Sequence, residues 1–552
     1  MNKYVSIVFI AFLISNNSNA QGLMGKSETV FTHQDTLRGS ITKERAWWDV
    51  KYYHLDIKVN PADSTISGSN TIRYKVLNSY NRMQIDLQKP LEIFKVTQDG
   101  KELKYQRDGN VFYIDLVAPQ NVNEIKELTI FYGGRPKIAV NPPWDGGITW
   151  KKDANGKPFI ASTCQGLGAS VWWPNKDHMY DEVDDMLISV NVPKNLTDVS
   201  NGRLQSVTDL KDGTRTFNWY VSNPINNYGV NINIGDYVSF SEVFPGEKGD
   251  LDCDYYVLKD NLEKAKIQFE DAPRMLKAFE HWFGPYPFYE DSYKLVEAPY
   301  LGMEHQSSIT YGNGFKNGYK GTDWSGTGWG LKFDYIIIHE SGHEWFANNI
   351  TYKDIADMWI HESFTCYSES LFVEFYYGKE AGSEYARGLR KNIQNVNTII
   401  SHYNVNNESS GTDMYFKGAN MLHTLRQIVN DDEKWRTILR GLNSTFYHQT
   451  VTTKQIEDYL RKNIGLDLAP FFDQYLRDKR IPTFEYKFKD NILSYRWTNC
   501  VTGFNIPVKV TLNGKEQWLK PQVEWTILPQ TAKDLKVEVD NNFYVNVVKS
   551  EE

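Results

Sequence analysis

The hydrophobic period of this 552-residue chain changes twice along its length, and that limits its architecture more than any other feature. From about residue 45 to 245, apolar and polar residues alternate, as in His54-Leu55-Asp56-Ile57-Lys58-Val59, Thr71-Ile72-Arg73-Tyr74-Lys75-Val76 and Gln84-Ile85-Asp86-Leu87. A period of two places one face of a strand in a core and the other in water. Turn signals such as Pro61-Ala62-Asp63 and Tyr132-Gly133-Gly134 separate the runs. The expectation is a unit of half-exposed antiparallel sheets. The spacing then lengthens: Leu262, Ala265, Phe269, Ala272, Leu276, Phe279 and Phe283 recur every three or four residues, which marks an amphipathic helix. Pro273 inside it predicts a kink or a break. Helical patterns return at about 331–348, 360–377, 414–429 and 453–478. After Ile481-Pro482 the alternation resumes, and Val508-Lys509-Val510-Thr511-Leu512 runs into Asn513-Gly514, a strong hairpin signal.

The order β, helical, β gives a multi-domain α+β protein: an N-terminal antiparallel β domain over 21–245, a mainly helical domain over 246–480 and a small C-terminal β-sandwich over 481–552. Aromatic residues reach 14%, which excludes intrinsic disorder. A net charge of −8, from 61 basic and 69 acidic residues, argues against nucleic acid as a partner. Residues 1–20 read as a cleavable export signal: Lys3, the apolar run Tyr4 to Ile14, then small residues at Ser18 and Ala20. Eleven apolar residues are too few to span about 30 Å of hydrocarbon as a helix, so no transmembrane segment is expected. The protein is therefore expected in the periplasm or outside the cell. Cys164, Cys253, Cys366 and Cys500 show no metal-ligand spacing, and free, mostly buried thiols are expected.

Chemistry concentrates in Ile338-His339-Glu340-Ser341-Gly342-His343-Glu344-Trp345. His339 and His343 stand one helical turn apart on one face and can share a Zn²⁺. Glu340 follows the first histidine, beside the metal without being a ligand, as a general base must be. A hydrolytic zinc site takes three protein ligands and keeps one position open. Glu362, in Trp359-Ile360-His361-Glu362, supplies a carboxylate at the start of the next helix. His-Glu-x-x-His alone arises by chance in about 1 chain in 100 of this composition, and the further glutamate lowers that by about tenfold or more.

The set resembles the zinc aminopeptidases related to aminopeptidase N and the leukotriene epoxide hydrolase/aminopeptidase. Those proteins combine HExxH-x18-E with an upstream Gly-x-Met-Glu-Asn loop and a downstream Tyr-x-Lys-Gly helix. Here the loop reads Leu301-Gly302-Met303-Glu304-His305 and the helix start reads Tyr415-Phe416-Lys417-Gly418. The likeness extends through Phe283-Gly284-Pro285-Tyr286-Pro287 and Phe471-Phe472-Asp473-Gln474-Tyr475-Leu476, covering most of 45–480. It implies a thermolysin-like catalytic domain, one zinc per chain on His339, His343 and Glu362, and peptide substrates with a free N-terminus. It also implies that Glu304 pairs with the substrate's α-ammonium, with Gln165 of Thr163-Cys164-Gln165-Gly166 beside it. Gly302, Met303 and His305 would complete the substrate loop, and Tyr415 would hydrogen-bond the developing oxyanion.

Departures accompany the likeness. Leu301 and His305 replace the first and last residues of the loop, and a histidine at 305 brings a group that titrates near neutral pH. Glu344 replaces a common glutamine and reads as a solvated helix face. The loop Gly321 to Gly330, GTDWSGTGWG, reads as a solvated connection or a mobile cleft wall. A zinc endopeptidase with the same core, or a bifunctional aminopeptidase/epoxide hydrolase, remains the alternative function.

Overall fold

The computed structural model describes residues 30–406, 411–490, 492–531 and 536–551. The expected export signal lies outside the described residues. An eight-stranded sheet forms the first layer, with Trp48–Asn60 between Thr65–Val76, antiparallel to it, and Asp185–Pro193, parallel to it. The parallel pair is an addition to the antiparallel pattern that the alternation suggests. Tyr53, Leu55, Ile57 and Val59 are buried while Asp56 and Lys58 face water, as a period of two requires. Gly68 pairs with Ile57, and a side chain there would meet Asp56 O at 2.0 Å. Only glycine fits so close a backbone approach.

A four-stranded sheet contains Pro158–Thr163, paired with Ile232–Gly235 and Gly147–Lys152. Gln165 sits just past the end of Pro158–Thr163. The boundary expected near 245 falls at the turn of a hairpin, Tyr237–Gly246 with Gly249–Leu258. That hairpin continues into a five-stranded sheet through Tyr293–Glu297 and Ile309–Tyr311, and its edge is the short strand Gly302–Met303. Of these strands only Tyr237–Gly246 lies where alternation is expected; Gly249–Leu258, Tyr293–Glu297, Gly302–Met303 and Ile309–Tyr311 fall in the segment expected to be mainly helical.

The helical layer follows. The predicted break gives helices Leu262–Gln268 and Asp271–Phe283. Pro273 lies in the first turn of the second, where a missing N–H costs nothing. Helices Tyr335–Gly342, Trp359–Tyr377 and Asp413–Val429 carry the motif residues. The 453–478 pattern divides at Gly465, in the left-handed region (φ 83°), into Thr453–Ile464 and Ala469–Leu476. Lys379–Gly388 and Asp432–Thr445 are two further helices.

Two small sheets close the chain: Thr483–Lys489, Ile492–Thr498, Thr526–Thr531 and Asn546–Lys549 in one, and Val508–Leu512, Lys515–Leu519 and Val537–Val539 in the other. Asn513 and Gly514 both have positive φ, as a tight hairpin turn demands. Phe484, Trp497, Phe504 and Phe543 join the same apolar core as the helices. Tyr475 also donates to Tyr544 O at 2.8 Å, so this unit packs directly on the helical layer. All four cysteines are free thiols, three of them buried. Among the described residues, no helix is long and apolar enough to cross a membrane.

Candidate active site

Asp334 caps the 335–342 helix by accepting from Ile336 N (3.0 Å) and Ile337 N (3.3 Å). His339 projects from this helix and His343 from its C-cap, with ring centroids 5.0 Å apart and planes nearly perpendicular. Glu362, in the first turn of the 359–377 helix, reaches both: its Oε2 lies 3.7 Å from His339 Nε2 and 3.4 Å from His343 Nε2. The helices come this close because Gly342 faces Thr365 and Ser368; a side chain there would meet Ser368 Oγ at 2.8 Å.

The remaining ring nitrogens are already engaged. His339 Nδ1 bonds Glu369 Oε1 at 2.7 Å, and Tyr385 OH donates to Glu369 Oε2 at 2.7 Å. His343 Nδ1 lies 3.0 Å from Phe346 O and 3.1 Å from Thr365 Oγ1. Both Nε2 atoms are thereby directed to a common point, the orientation that outer hydrogen bonds impose on metal-binding histidines. Glu362 Oε2 is buried there with no hydrogen-bond partner. Two imidazoles and an orphaned carboxylate oxygen, mutually within 4.8 Å and all buried, fit a zinc ion. Burial alone would raise the Glu362 carboxyl, but His343 and His339 beside it hold it below the ordinary carboxylate range. Glu369, Tyr385 and Thr365 went unread in the sequence; Glu369 lies seven residues after Glu362, two turns along the same helix face.

Glu340 and Glu304 approach His343 together, their ligand atoms within 4.8 Å of one another. Burial pushes the Glu340 carboxyl up to about 7, with Glu304 and Glu362 adding to the rise and the two histidines opposing it. Gly302 lets the edge strand run against the 335–342 helix, since a side chain there would meet Ile336 Cγ2 at 2.6 Å and Glu340 Cγ at 3.2 Å. Glu304 accepts a hydrogen bond from Gln165 Nε2 at 2.9 Å, and the same amide reaches Glu362 Oε1 at 3.4 Å. Residues 139 and 197 positions apart in sequence thus meet. Met303 is buried and belongs to the apolar core of the β layer, and its carbonyl accepts from Thr310 Oγ1 at 3.2 Å.

Two sequence expectations are corrected. His305 is fully buried, and burial pushes it down to about 3, so it carries no charge near neutral pH. Its Nδ1 bonds Thr310 Oγ1 at 3.3 Å and its Nε2 has no partner. Glu344 is equally buried rather than solvated, because the chain leaves the α-helix after Gly342 and turns through Glu344–Asn348. It accepts from Tyr286 OH (2.9 Å), Ser307 N (3.0 Å) and Asn348 Nδ2 (3.1 Å). Asn348 also donates to Glu304 O at 2.9 Å, so Glu344 and Asn348 together hold the loop that carries Glu304.

Tyr415 is half-buried near the start of the 413–429 helix, with its ring stacked 6.1 Å from His339. Burial, reinforced by the Glu362 charge, holds its phenol well above the ordinary value, so it stays protonated. Gly418 brings this helix against the 359–377 helix: a side chain there would meet Ser363 Oγ at 1.8 Å. Ser363 Oγ donates to Met414 O at 2.6 Å, and Lys417 Nζ to Asp478 O at 2.8 Å. The Tyr-x-Lys-Gly spacing is thus a docking device that sets the phenol beside His339.

Residues 50–228 match the peptidase M1 N-terminal domain, and residues 267–475 match the peptidase family M1 domain. Leukotriene A-4 hydrolase of Xenopus laevis is 22% identical over 75% of this chain and 68% of its own length. Leucine aminopeptidase 2 of Vanderwaltozyma polyspora is 23% identical over 74% of this chain, and the match spans 62% of that relative. Probable aminopeptidase 1 of Sulfurisphaera tokodaii is 22% identical over 78% of this chain, which spans about half, 54%, of that relative. The fold is similar to that of the M1 zinc metallopeptidase of Deinococcus radiodurans, with a TM-score of 0.65 and 21% identity over 77% of this chain and 92% of that one. The two family domains cover the β layer with Gln165 and the helical layer with every residue of the histidine–glutamate cluster, and the chain belongs to peptidase family M1.

Proposed function

We propose that this protein is an exported zinc aminopeptidase that removes the N-terminal residue from peptides. The observation that carries this reading is the buried Glu304 carboxylate, fixed by Gln165 and set beside the His339–His343–Glu362 cluster. A carboxylate there, with one donor already on it, has capacity left for a substrate ammonium. Such a buried charge-assisted hydrogen bond is worth about 1.5–3 kcal/mol, and an acylated amine forfeits it.

His339, His343 and Glu362 would hold the zinc, which when bound supplies Lewis-acid chemistry, polarising the scissile carbonyl and making water a stronger nucleophile. Glu340 takes the proton of the attacking water and hands it to the leaving nitrogen, a task suited to a carboxyl raised to about 7. Tyr415 donates its protonated hydroxyl to the oxygen that gains charge. Glu304 fixes the N-terminus, so the bond broken is the first one. Export rests on the Lys3, Tyr4 to Ile14 and Ala20 pattern.

The test is a matched pair of peptides, one with a free N-terminus and one N-acetylated, each with and without a zinc chelator. Chelator-sensitive release of single residues from the free peptide alone is expected. Internal cleavage of both would make the protein an endopeptidase and remove the role given to Glu304.

A further inference from the structure

The loop 321–330, which the chemistry above does not use, completes a closed ring of aromatic side chains on one flank of the histidine–glutamate cluster. Tyr319 meets Tyr335 at 5.6 Å, and Tyr335 stacks on His339 at 5.2 Å with planes 14° apart. His339 stacks on Tyr415 at 6.1 Å, and Tyr415 meets Phe416 at 6.3 Å. Phe416 meets Trp324 at 6.1 Å, and Trp324 returns to Tyr319 at 5.4 Å. Tyr319, Trp324, Tyr335, Tyr415 and Phe416 are each partly buried against the core and partly open.

The loop is built rather than loose. Asp323 accepts from Ser325 N at 2.8 Å and Gly328 N at 2.6 Å. Asn392 Nδ2 holds Trp324 O at 3.1 Å, and Trp329 Nε1 donates to Glu384 Oε2 at 2.7 Å. The indole of Trp324 is thus presented on a fixed backbone, an apolar surface prepared in advance of any ligand.

The position of the ring relative to the cluster sets what it touches. Glu304 groups with Glu340 and His343, whereas the aromatic ring is joined to the cluster through His339. A peptide with its ammonium on Glu304 and its first carbonyl between the histidines continues past His339, onto the ring. Aromatic faces take flat or bulky apolar side chains, and they also attract cations. The rings are partly buried against the core, so an ammonium seated among them would lose part of its hydration, whereas an apolar side chain gains from the same burial. We propose that Tyr319, Trp324, Tyr335 and Phe416 form the subsite for the second residue of the substrate and select an aromatic or bulky apolar side chain there. The proposal rests on the aminopeptidase reading and adds a specificity to it.

The test is a peptide series Leu-Xaa-Ala-Ala with Xaa as Phe, Leu, Ala or Lys, scored by kcat/KM for release of the first residue. Phe and Leu should exceed Ala by about tenfold, and Lys should not exceed Ala. Trp324→Ala should bring the Phe-to-Ala ratio close to one, and Trp324→Phe should restore most of it, with zinc content and circular dichroism confirming the fold of each. If Trp324→Ala does not fold, Phe416→Leu should narrow the same ratio. Equal rates for all four peptides in the unmodified enzyme, a preference for Lys, or a ratio untouched in the variants would overturn the subsite while leaving the aminopeptidase reading intact. Failure to release the first residue from any of the four would instead strike the reading on which it rests.

Discussion

The two flanks of the histidine–glutamate cluster are built from different materials. On the His343 flank, Glu304 is held by polar contacts alone: Gln165 on its carboxylate, Asn348 on its carbonyl, and Glu344 on the backbone of Ser307. On the His339 flank, five partly open aromatic rings surround the side of the histidine, and the hydrogen bonds of Asp323, Asn392 and Trp329 steady the backbone of the loop without touching those rings' faces. A flank that must receive the same charged group from every substrate repays a buried network, because each unsatisfied partner in it is costly. A flank that reads variable side chains needs surface and shape instead. The experiments below separate the two.

The largest effect should come from a change that both flanks share. Glu340→Gln keeps the shape but cannot accept a proton, and turnover should fall by about 10²–10⁴-fold whatever the second residue of the peptide. Zinc measured by elemental analysis should stay at the unmodified level, since Glu340 is outside the His339–His343–Glu362 triad. Loss of the metal would mean that the base has been misassigned. Glu304→Ala acts on one flank only: kcat/KM for free peptides should fall by about 10–150-fold, matching one lost charge-assisted bond. The preference for free over N-acetylated peptide should collapse with it, while the Phe-to-Ala ratio at the second residue survives. A collapse of both ratios would show that the flanks are not separable.

A smaller effect is expected one step back from the anchor. Glu344→Ala leaves Ser307 N and Asn348 Nδ2 without their acceptor, at about 1–3 kcal/mol for each buried donor stranded. The Tm should drop and KM for free peptides should rise. Glu344→Gln retains one carbonyl oxygen for these donors, and Tyr286 can turn its hydroxyl to Ser292 O, which it already approaches at 3.1 Å. The glutamine variant should therefore behave nearly as the unmodified enzyme. Equal damage from both would mean that the charge, rather than the acceptor, holds the loop.

The same division explains what could be read from the amino acids. His339, Glu340 and His343 are legible because a helix converts spacing into a shared face, and Glu362 because it opens the following helix. Glu304, Gln165 and Tyr415 sit on a strand edge, a loop of another sheet and a third helix, and only the combined likeness to known motifs drew them together. Glu344 was misread because its position was extrapolated along a helix that in fact ends at Gly342. Glu369 was missed because an acid in an apolar helix carries no sign of its partner until His339 is placed against it. The aromatic ring was invisible for the same reason: Trp324, Tyr335 and Phe416 belong to three segments, and no periodicity records their meeting. Only the first strand of the hairpin Tyr237–Gly246 with Gly249–Leu258 lies in the alternating region; the second lies outside it, as does the buried strand Tyr293–Glu297 beside it, and their pairing depends on the fold as a whole.

The smallest effect concerns the proton balance of the polar flank. His305 is held neutral by burial at about 3, whereas an unfolded histidine titrates near about 6.5. Between those values the unfolded chain binds a proton that the folded chain does not, so stability must fall as pH drops below about 6.5, by up to about 1.4 kcal/mol per pH unit for one such group. Burial also holds His178 and His423 down to about 3, His448 to about 4 and His361 well below its ordinary value, so the unmodified protein carries several such contributions. His305→Asn should remove one share, giving a shallower decline of Tm between pH 7 and 5. Trp324→Phe, on the aromatic flank, introduces no titrating group and should leave the slope unchanged. An unaltered slope in His305→Asn would mean that the loop opens enough on acidification for His305 to take up its proton in the folded state, and that the polar flank is the softer of the two.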